Sequence, residues 1–469
     1  MSEDSYPLEA NLTDAFAQYC VNLRYSDLPE RTRRSVRMLY LDYVAAVHAG
    51  FIINESFNDS VMSVLSPAES FGNSSVFFLK EKTSATKAAF LNAMLAHGAD
   101  MDDGHKGAAG HVGAHVVSAL MAVAEARTSN IADFVAAMVA GYDVFCRLSS
   151  ACMPGMVHRG FHSTGTAGAI ASAAAVAKLI GLDIAGVRSA IALSSTQAAG
   201  LLLVGETSQE VKPLSPARAA EAGVLSALLA ECGVVGPDRP LESAKGWCHA
   251  MSSVVDTDLL FDGLGERYSI DECYLKPYPT CRHTHGCIEA ASSLSFCVEA
   301  SDIECIRIFT YGHAIELAGF NGNPRNASEA KFSIQYAVAV ALCAGTFTLD
   351  NLNVENITQE VRRLMAIVEL IRDDSYEEPQ RGIRGCRLEV VLNNGDMLTR
   401  SVLAPKGEPE NPFTYEDMMN KLQSCLVAKD GRVVSRKCVE QFAFEQIKLL
   451  NSPESPFVFP IFRESASNL

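Results

Sequence analysis

Apolar residues recur at helical spacing through the first half of the chain. Leu28-Pro29-Glu30 opens a stretch from Glu30 to Gly50 in which Val36, Leu39, Tyr40, Tyr43 and Val44 fall on one face, with proline at the entry. The same periodicity predicts helices over Thr83–His97, Val112–Arg127, Ile131–Ser149, Gly165–Ile180, Ile184–Val204 and Pro216–Cys232. Each is rich in Ala, Gly and Ser with a stripe of Leu or Val, a composition that lets helix backbones approach closely. This half is expected to form a tight, buried all-α bundle. Breaks every 20–25 residues suggest a helical repeat, but no motif recurs, and that reading is rejected.

The texture changes near residue 270. Ile303–Tyr311 alternates with period two, as a half-buried strand does. Within Arg387–Leu403, Asn394-Gly395 separates two strand-like runs, a strong hairpin signal. Ser333–Ala344 and Glu360–Asp373 are expected to be helical, and Thr414–Leu450 reads as charged amphipathic helix. The expected architecture is mainly α with an α+β module: a helical domain over 1–270, an inserted α+β lid over 271–402, and C-terminal helices over 403–469 that return to the first half.

A length of 469 residues admits two or more domains. With 48% hydrophobic and 20% charged residues, the chain is globular rather than disordered. A net charge of −16 argues against nucleic acid or an anionic membrane as partner, so an anionic ligand would need a local basic pocket. The 14 cysteines show no CxxC pair, and the acidic opening Met-Ser-Glu-Asp-Ser-Tyr fits no secretory or transit signal. Reduced thiols and a cytoplasmic location are expected. No apolar run long enough to span a bilayer lacks a charged or polar break, so no transmembrane helix is expected.

Chemistry concentrates in a few places. His97-Gly-Ala-Asp100-Met-Asp102-Asp103-Gly-His105, running on to His111 and His115, packs carboxylates and imidazoles between alanine-rich segments. Ionisable groups against a core have displaced pKa values and suit proton transfer, although Asp102 and Asp103 equally fit a helix cap. Gly160-Phe-His162-Ser163-Thr164-Gly165 precedes a helix start, where free amides favour a carboxylate, or where Ser163 or Thr164 simply caps the helix. Lys212-Pro-Leu is a candidate carboxylate anchor or a solvated loop charge. Lys276-Pro-Tyr-Pro-Thr-Cys281-Arg-His283-Thr-His285 lies at the change of texture, where clefts form. Cys281, His283 and His285 lack a second ligand pair at zinc spacing, and His111 and His115 lack the intervening glutamate of a zinc-protease helix. A zinc site is therefore not expected.

The order of these motifs resembles the MmgE/PrpD family. Asp100-Met-Asp-Asp followed by His111-Val-Gly is similar to its Asp-Phe-Asp-Asp…His-Pro-Gly/Ser segment. Phe161-His162 matches its aromatic-His element, Lys212-Pro-Leu its Lys-Pro-Leu-His, and Lys276-Pro-Tyr-Pro-Thr-Cys281 its Lys-x-(Phe/Tyr)-Pro element. The resemblance implies a helical domain with an α+β lid, a homodimer, and metal-free chemistry on small carboxylic acids. It implies His111, His162, Asp100 and Lys276 as catalytic groups. Lys212, Lys276, Cys281, His285, Ser163 and Thr164 would bind the substrate.

The departures bear on the reaction. Gly104 stands where animal decarboxylases of the family carry Thr, Val112 where Pro is usual, and Ser215 where the Lys-Pro-Leu-His histidine falls. Cys281 replaces the histidine of the animal enzymes, as in fungal decarboxylases and an epimerase of the family. The expectation is a cofactor-independent lyase, with dehydration of a 2-methylcitrate-like acid first and cis-aconitate-type decarboxylation second. Epimerisation of a dicarboxylate by α-proton abstraction, or a non-catalytic carboxylate-binding role, stands behind these.

Overall fold

Small residues set the geometry of the first half. The computed structural model describes residues 11–65, 71–205, 209–378, 383–426 and 434–462. Helices Glu30–Ile53, Ala85–His97, Gly113–Arg127, Ile131–Ala151, Ser163–Leu179, Ile184–Ser195 and Leu214–Glu231 pack into one bundle around an almost wholly buried alanine and valine core. A Cβ on Gly50 would lie 1.9 Å from the Leu95 carbonyl oxygen, so only glycine lets Glu30–Ile53 cross Ala85–His97 this closely.

The C-terminal half carries a four-stranded mixed sheet. Ile303–Thr310 pairs in parallel with Val368–Arg372 and antiparallel with Cys386–Leu392, which forms the expected hairpin with Met397–Val402. Helix His285–Leu294 packs on the hairpin strands and on helix Ile334–Ala344. The mainly helical architecture with a smaller α+β part agrees with the pattern in the sequence.

Several boundaries differ. Glu360–Asp373 is not one helix: helix Gln359–Ala366 buries Val361, Leu364 and Met365, then the chain extends into Val368–Arg372, where pairing with Ile303–Thr310 outweighs helical continuation. Ile184–Val204 is helical only to Ser195, and a short 3₁₀ turn follows at Leu202–Gly205. Gly200, between them, accepts the His162 amide. The C-terminal helix is two, Tyr415–Cys425 and Arg436–Leu450; the expected stretch between them includes 427–433, outside the described residues. Among the described residues one helix, Glu30–Ile53, is long and apolar enough to cross a membrane, contrary to expectation. Most of it is buried in the bundle, and Asp42 within it pairs with Lys421 of helix Tyr415–Cys425, which accounts for its apolar composition without a bilayer.

Two short links join the halves at the acidic motif. Gly104–His105 pairs antiparallel with Cys273–Tyr274, bringing Asp100–Asp103 beside the Lys276 segment across about 170 residues of chain. Lys421 donates to the Met101 carbonyl as well as to Asp42, pinning the same turn from the C-terminal side.

Candidate active site

The turn after helix Ala85–His97 holds Asp100 at φ +53°, a left-handed conformation that Asp tolerates better than most residues. Its carboxylate is the centre of the site. Oδ1 accepts from Lys212 Nζ at 2.7 Å, lies 3.3 Å from Lys276 Nζ and lies 3.6 Å from His111 Nε2. Burial opposes ionisation of Asp100, but Lys212 and then Lys276 outweigh it and hold the carboxyl far below its usual range. The two lysines respond differently. Burial lowers Lys276, and Asp100 offsets this only in part; at Lys212 the shorter contact outweighs burial and raises its pKa.

One ring hydrogen of His111 is fixed by its surroundings. Its Nδ1 faces the Asp103 carbonyl at 2.9 Å, and a carbonyl only accepts, so Nδ1 carries hydrogen. Nε2 is left toward Asp100 and the lysines. Asp102 supports the ring from behind, with Oδ2 3.3 Å from His111 Nδ1 and 2.9 Å from His97 Nδ1. Burial works against the Asp102 charge, but the His111 and His97 imidazoles outweigh it and keep Asp102 well below the usual range. His97 is pushed down to about 4, chiefly by burial, and is a neutral donor to Asp102. Asp103 turns the other way: its Oδ1 accepts the Gly113 amide at 2.8 Å and so caps helix Gly113–Arg127. Burial, then the Asp42 and Asp102 charges, push it well above the carboxylate range. Of the two acids offered as a cap, Asp103 serves as one and Asp102 braces the imidazoles.

His162 immediately precedes helix Ser163–Leu179. Its Nδ1 lies 2.9 Å from Ser215 Oγ, and burial, followed by the Lys212 charge, holds it well below its ordinary value. Thr164 Oγ1 accepts the His111 amide at 3.1 Å, and Ser163 Oγ donates to the Ala109 carbonyl. Both hydroxyls therefore position the His111 loop. Cys281 is buried, its thiol pushed up by burial and then by the Asp100 charge, so it stays protonated. His285 is not free for a ligand: Nδ1 lies 3.0 Å from Arg282 Nη1 and Nε2 3.2 Å from the Thr280 carbonyl, with the ring fully buried. The Arg282 guanidinium is itself fixed by Glu408, so this set braces the Lys276 segment. His115 does not share a face with His111; it lies within helix Gly113–Arg127, against Ser172.

Two features explain departures from the family pattern. A Cβ on Gly104 would sit 2.4 Å from the Tyr274 hydroxyl, so the close pairing with Tyr274 leaves no room for a side chain. Ser215 stands where a histidine is usual and supplies the hydroxyl that orients His162.

The periodic reading missed Lys331, at the end of the short helix Ala327–Lys331. Its buried ammonium donates to the Gly98 carbonyl at 2.7 Å, two residues before Asp100. The only signal was one lysine set between an alanine and a phenylalanine ahead of an apolar helix.

His97, Asp100, Asp102 and His111 bring one ligand atom each within 4.8 Å of one another, a donor set of the kind that holds a divalent cation. The fit is poor. Two ammonium groups already crowd the Asp100 oxygen, His97 Nδ1 faces Asp102, and His111 Nδ1 faces a carbonyl. A cation here would meet two lysine charges at contact range.

Comparison with known proteins accords with this arrangement. The MmgE/PrpD N-terminal domain matches residues 14–259, and the MmgE/PrpD C-terminal domain matches residues 278–440. The chain belongs to the MmgE/PrpD family. Among similar proteins, the cis-aconitate decarboxylase-like protein oryM of Aspergillus oryzae is 26% identical over 89% of this chain and 91% of its own length. Cis-aconitate decarboxylase of Aspergillus terreus is 24% identical over 91% of each chain. Human cis-aconitate decarboxylase is 26% identical over 88% of this chain and 87% of its own.

Proposed function

We propose that this protein is a metal-independent carboxy-lyase that decarboxylates a cis-aconitate-like tricarboxylic acid. The supporting observation is the convergence of Lys212, Lys276 and His111 Nε2 on one carboxylate oxygen, Asp100 Oδ1. A substrate carboxylate seated by the lysines would stand where a proton can pass to or from His111. The names of the relatives put decarboxylation ahead of the 2-methylcitrate-type dehydration that the motifs alone favoured.

In this reading the bond to the departing carboxylate breaks and carbon dioxide leaves. Its electron pair shifts into the carbon skeleton, and the carbon beside a remaining carboxylate takes one proton from Nε2 of the His111 imidazolium, which keeps its Nδ1 hydrogen on the Asp103 carbonyl until solvent restores the other. The lysine charges stabilise the negative charge in transit, and groups already held in place lose little in reorganisation. Asp100 keeps both lysines charged and aimed, His162 is held by Ser215 to complete the proton-handling pair, and Cys281 lines the site as a thiol. The protein is further proposed to act in the cytoplasm as a homodimer, on a small anionic carboxylic acid and without nucleic acid, membrane or cofactor.

The test is to incubate purified protein with cis-aconitate and follow carbon dioxide release and product by NMR. Itaconate-type product with release of carbon dioxide supports the reading. Loss or gain of water from citrate-type acids without carbon dioxide would replace it with dehydration.

A further inference from the structure

Lys331 is a buried ammonium whose surroundings do not balance its charge. Among the described residues its one hydrogen bond is to the Gly98 carbonyl, at 2.7 Å, and that oxygen also accepts from Asn54 Nδ2 at 2.9 Å. Among the described residues, no carboxylate comes within ion-pair distance of it. Lys212 and Lys276, by contrast, share Asp100. An ammonium has three donors and one is used, so two N–H groups of a residue with 6% exposure lack an acceptor among the described residues. Leaving such donors unsatisfied is costly unless something else takes them. Burial, offset only in part by Asp100, pulls this lysine down to about 8, whereas Asp100 holds Lys212 above its ordinary value.

The segment that carries it is built around the site. The Lys331 carbonyl accepts the Cys281 amide at 2.8 Å, and the Phe332 ring lies beneath Lys212 Nζ, 5.7 Å from the ring centre. The Gly98 carbonyl it reaches belongs to the turn that sets Asp100. Lys331 and Phe332 therefore touch Cys281, Lys212 and the turn that carries Asp100.

We propose that Lys331 supplies the third ammonium of the site and takes the third carboxylate of a tricarboxylic acid, so that it selects tricarboxylates over dicarboxylates. This rests on the carboxy-lyase reading above and deepens it. Lys212 and Lys276 meet at one oxygen and serve one end of a substrate; Lys331 approaches from the α+β half, beside the Gly98 turn.

The experiment compares two non-reacting probes by isothermal titration calorimetry at pH 7: propane-1,2,3-tricarboxylate and pentanedioate, which lacks the central carboxylate. The unaltered protein is expected to bind the tricarboxylate at least tenfold more tightly. Lys331→Gln, which keeps a donor for the Gly98 carbonyl, is expected to weaken tricarboxylate binding by roughly ten- to hundredfold and to leave pentanedioate binding within about twofold. Lys331→Met, which keeps the apolar stem, should show the same selective loss. Equal weakening toward both probes would make Lys331 a strut between the halves and overturn the proposal, as would no weakening at all. Equal binding of both probes by the unaltered protein overturns it without any variant. If that protein still releases carbon dioxide from cis-aconitate, only this inference fails; if it binds neither probe and turns over nothing, the functional reading falls too.

Discussion

His162 Nδ1 lies 2.9 Å from the hydroxyl of Ser215, the residue that stands in place of a more usual histidine. The contact holds the Nδ1 side of the imidazole. Ser215→Ala is expected to lower kcat for cis-aconitate about fivefold with KM nearly unchanged, because one neutral hydrogen bond is worth about 1 kcal/mol and serves orientation rather than capture. Steady-state kinetics on the two proteins checks this, and a change confined to KM would assign Ser215 to binding instead.

His111→Ala should cut turnover by roughly 10²–10⁴-fold, the usual contribution of a positioned acid or base, without unfolding the protein. Its backbone amide bond to Thr164 and the Asp103 cap of Gly113 do not depend on the ring. Near-normal turnover in a folded variant contradicts the assignment.

Lys212→Met and Lys276→Met are each expected to weaken capture of an anionic substrate by roughly ten- to hundredfold, since a charge-assisted contact is worth about 1.5–3 kcal/mol. Both variants also leave Asp100 with one cation fewer. Its pKa should therefore rise toward the ordinary carboxylate value, shifting the acid limb of the kcat/KM profile upward. Unchanged capture in both would return the lysines to a structural role.

Turnover should survive exhaustive chelation. Four potential ligands lie close together, but the lysines on Asp100 disfavour a divalent ion there. Loss of activity to a chelator, restored by one particular ion, would overturn this.

His48 offers a separate reading of stability. It sits among Phe77, Phe78 and Phe462, and burial alone pushes its pKa down to about 4. The folded state thus binds this proton less readily than the unfolded chain, whose histidine titrates near ~6.5. The contribution is fully present above ~6.5 and is lost as pH falls toward about 4. Relative to His48→Phe, the unaltered protein should lose about 2 kcal/mol between pH 7.5 and pH 5, measured by urea unfolding. A pH-independent difference would show that the ring is solvated.

The buried pair of Asp42 and Lys421 should behave as a unit. Lys421→Met leaves a buried carboxylate without its cation and is expected to destabilise the fold by about 3–5 kcal/mol, while adding Asp42→Asn recovers much of that. Urea unfolding of the single and double variants checks it.

Helical periodicity, the Asn-Gly hairpin and the clustered Asp, His and Lys motifs are local properties, each set by a few neighbouring side chains, so the sequence by itself determined the helix-rich class and marked Lys212, Lys276 and His111, which gather at Asp100. Glu360–Asp373 shows the limit, because only a strand 60 residues away turned its second half from helix to sheet. The tertiary structure alone decided that Gly104–His105 meets Cys273–Tyr274, that His285 faces Arg282 rather than a ligand, and that Lys331 reaches the Gly98 turn. These are long-range pairings governed by how closely helices of small residues approach one another. That closeness is shared among many Ala and Gly positions, none of which carries a recognisable signal on its own.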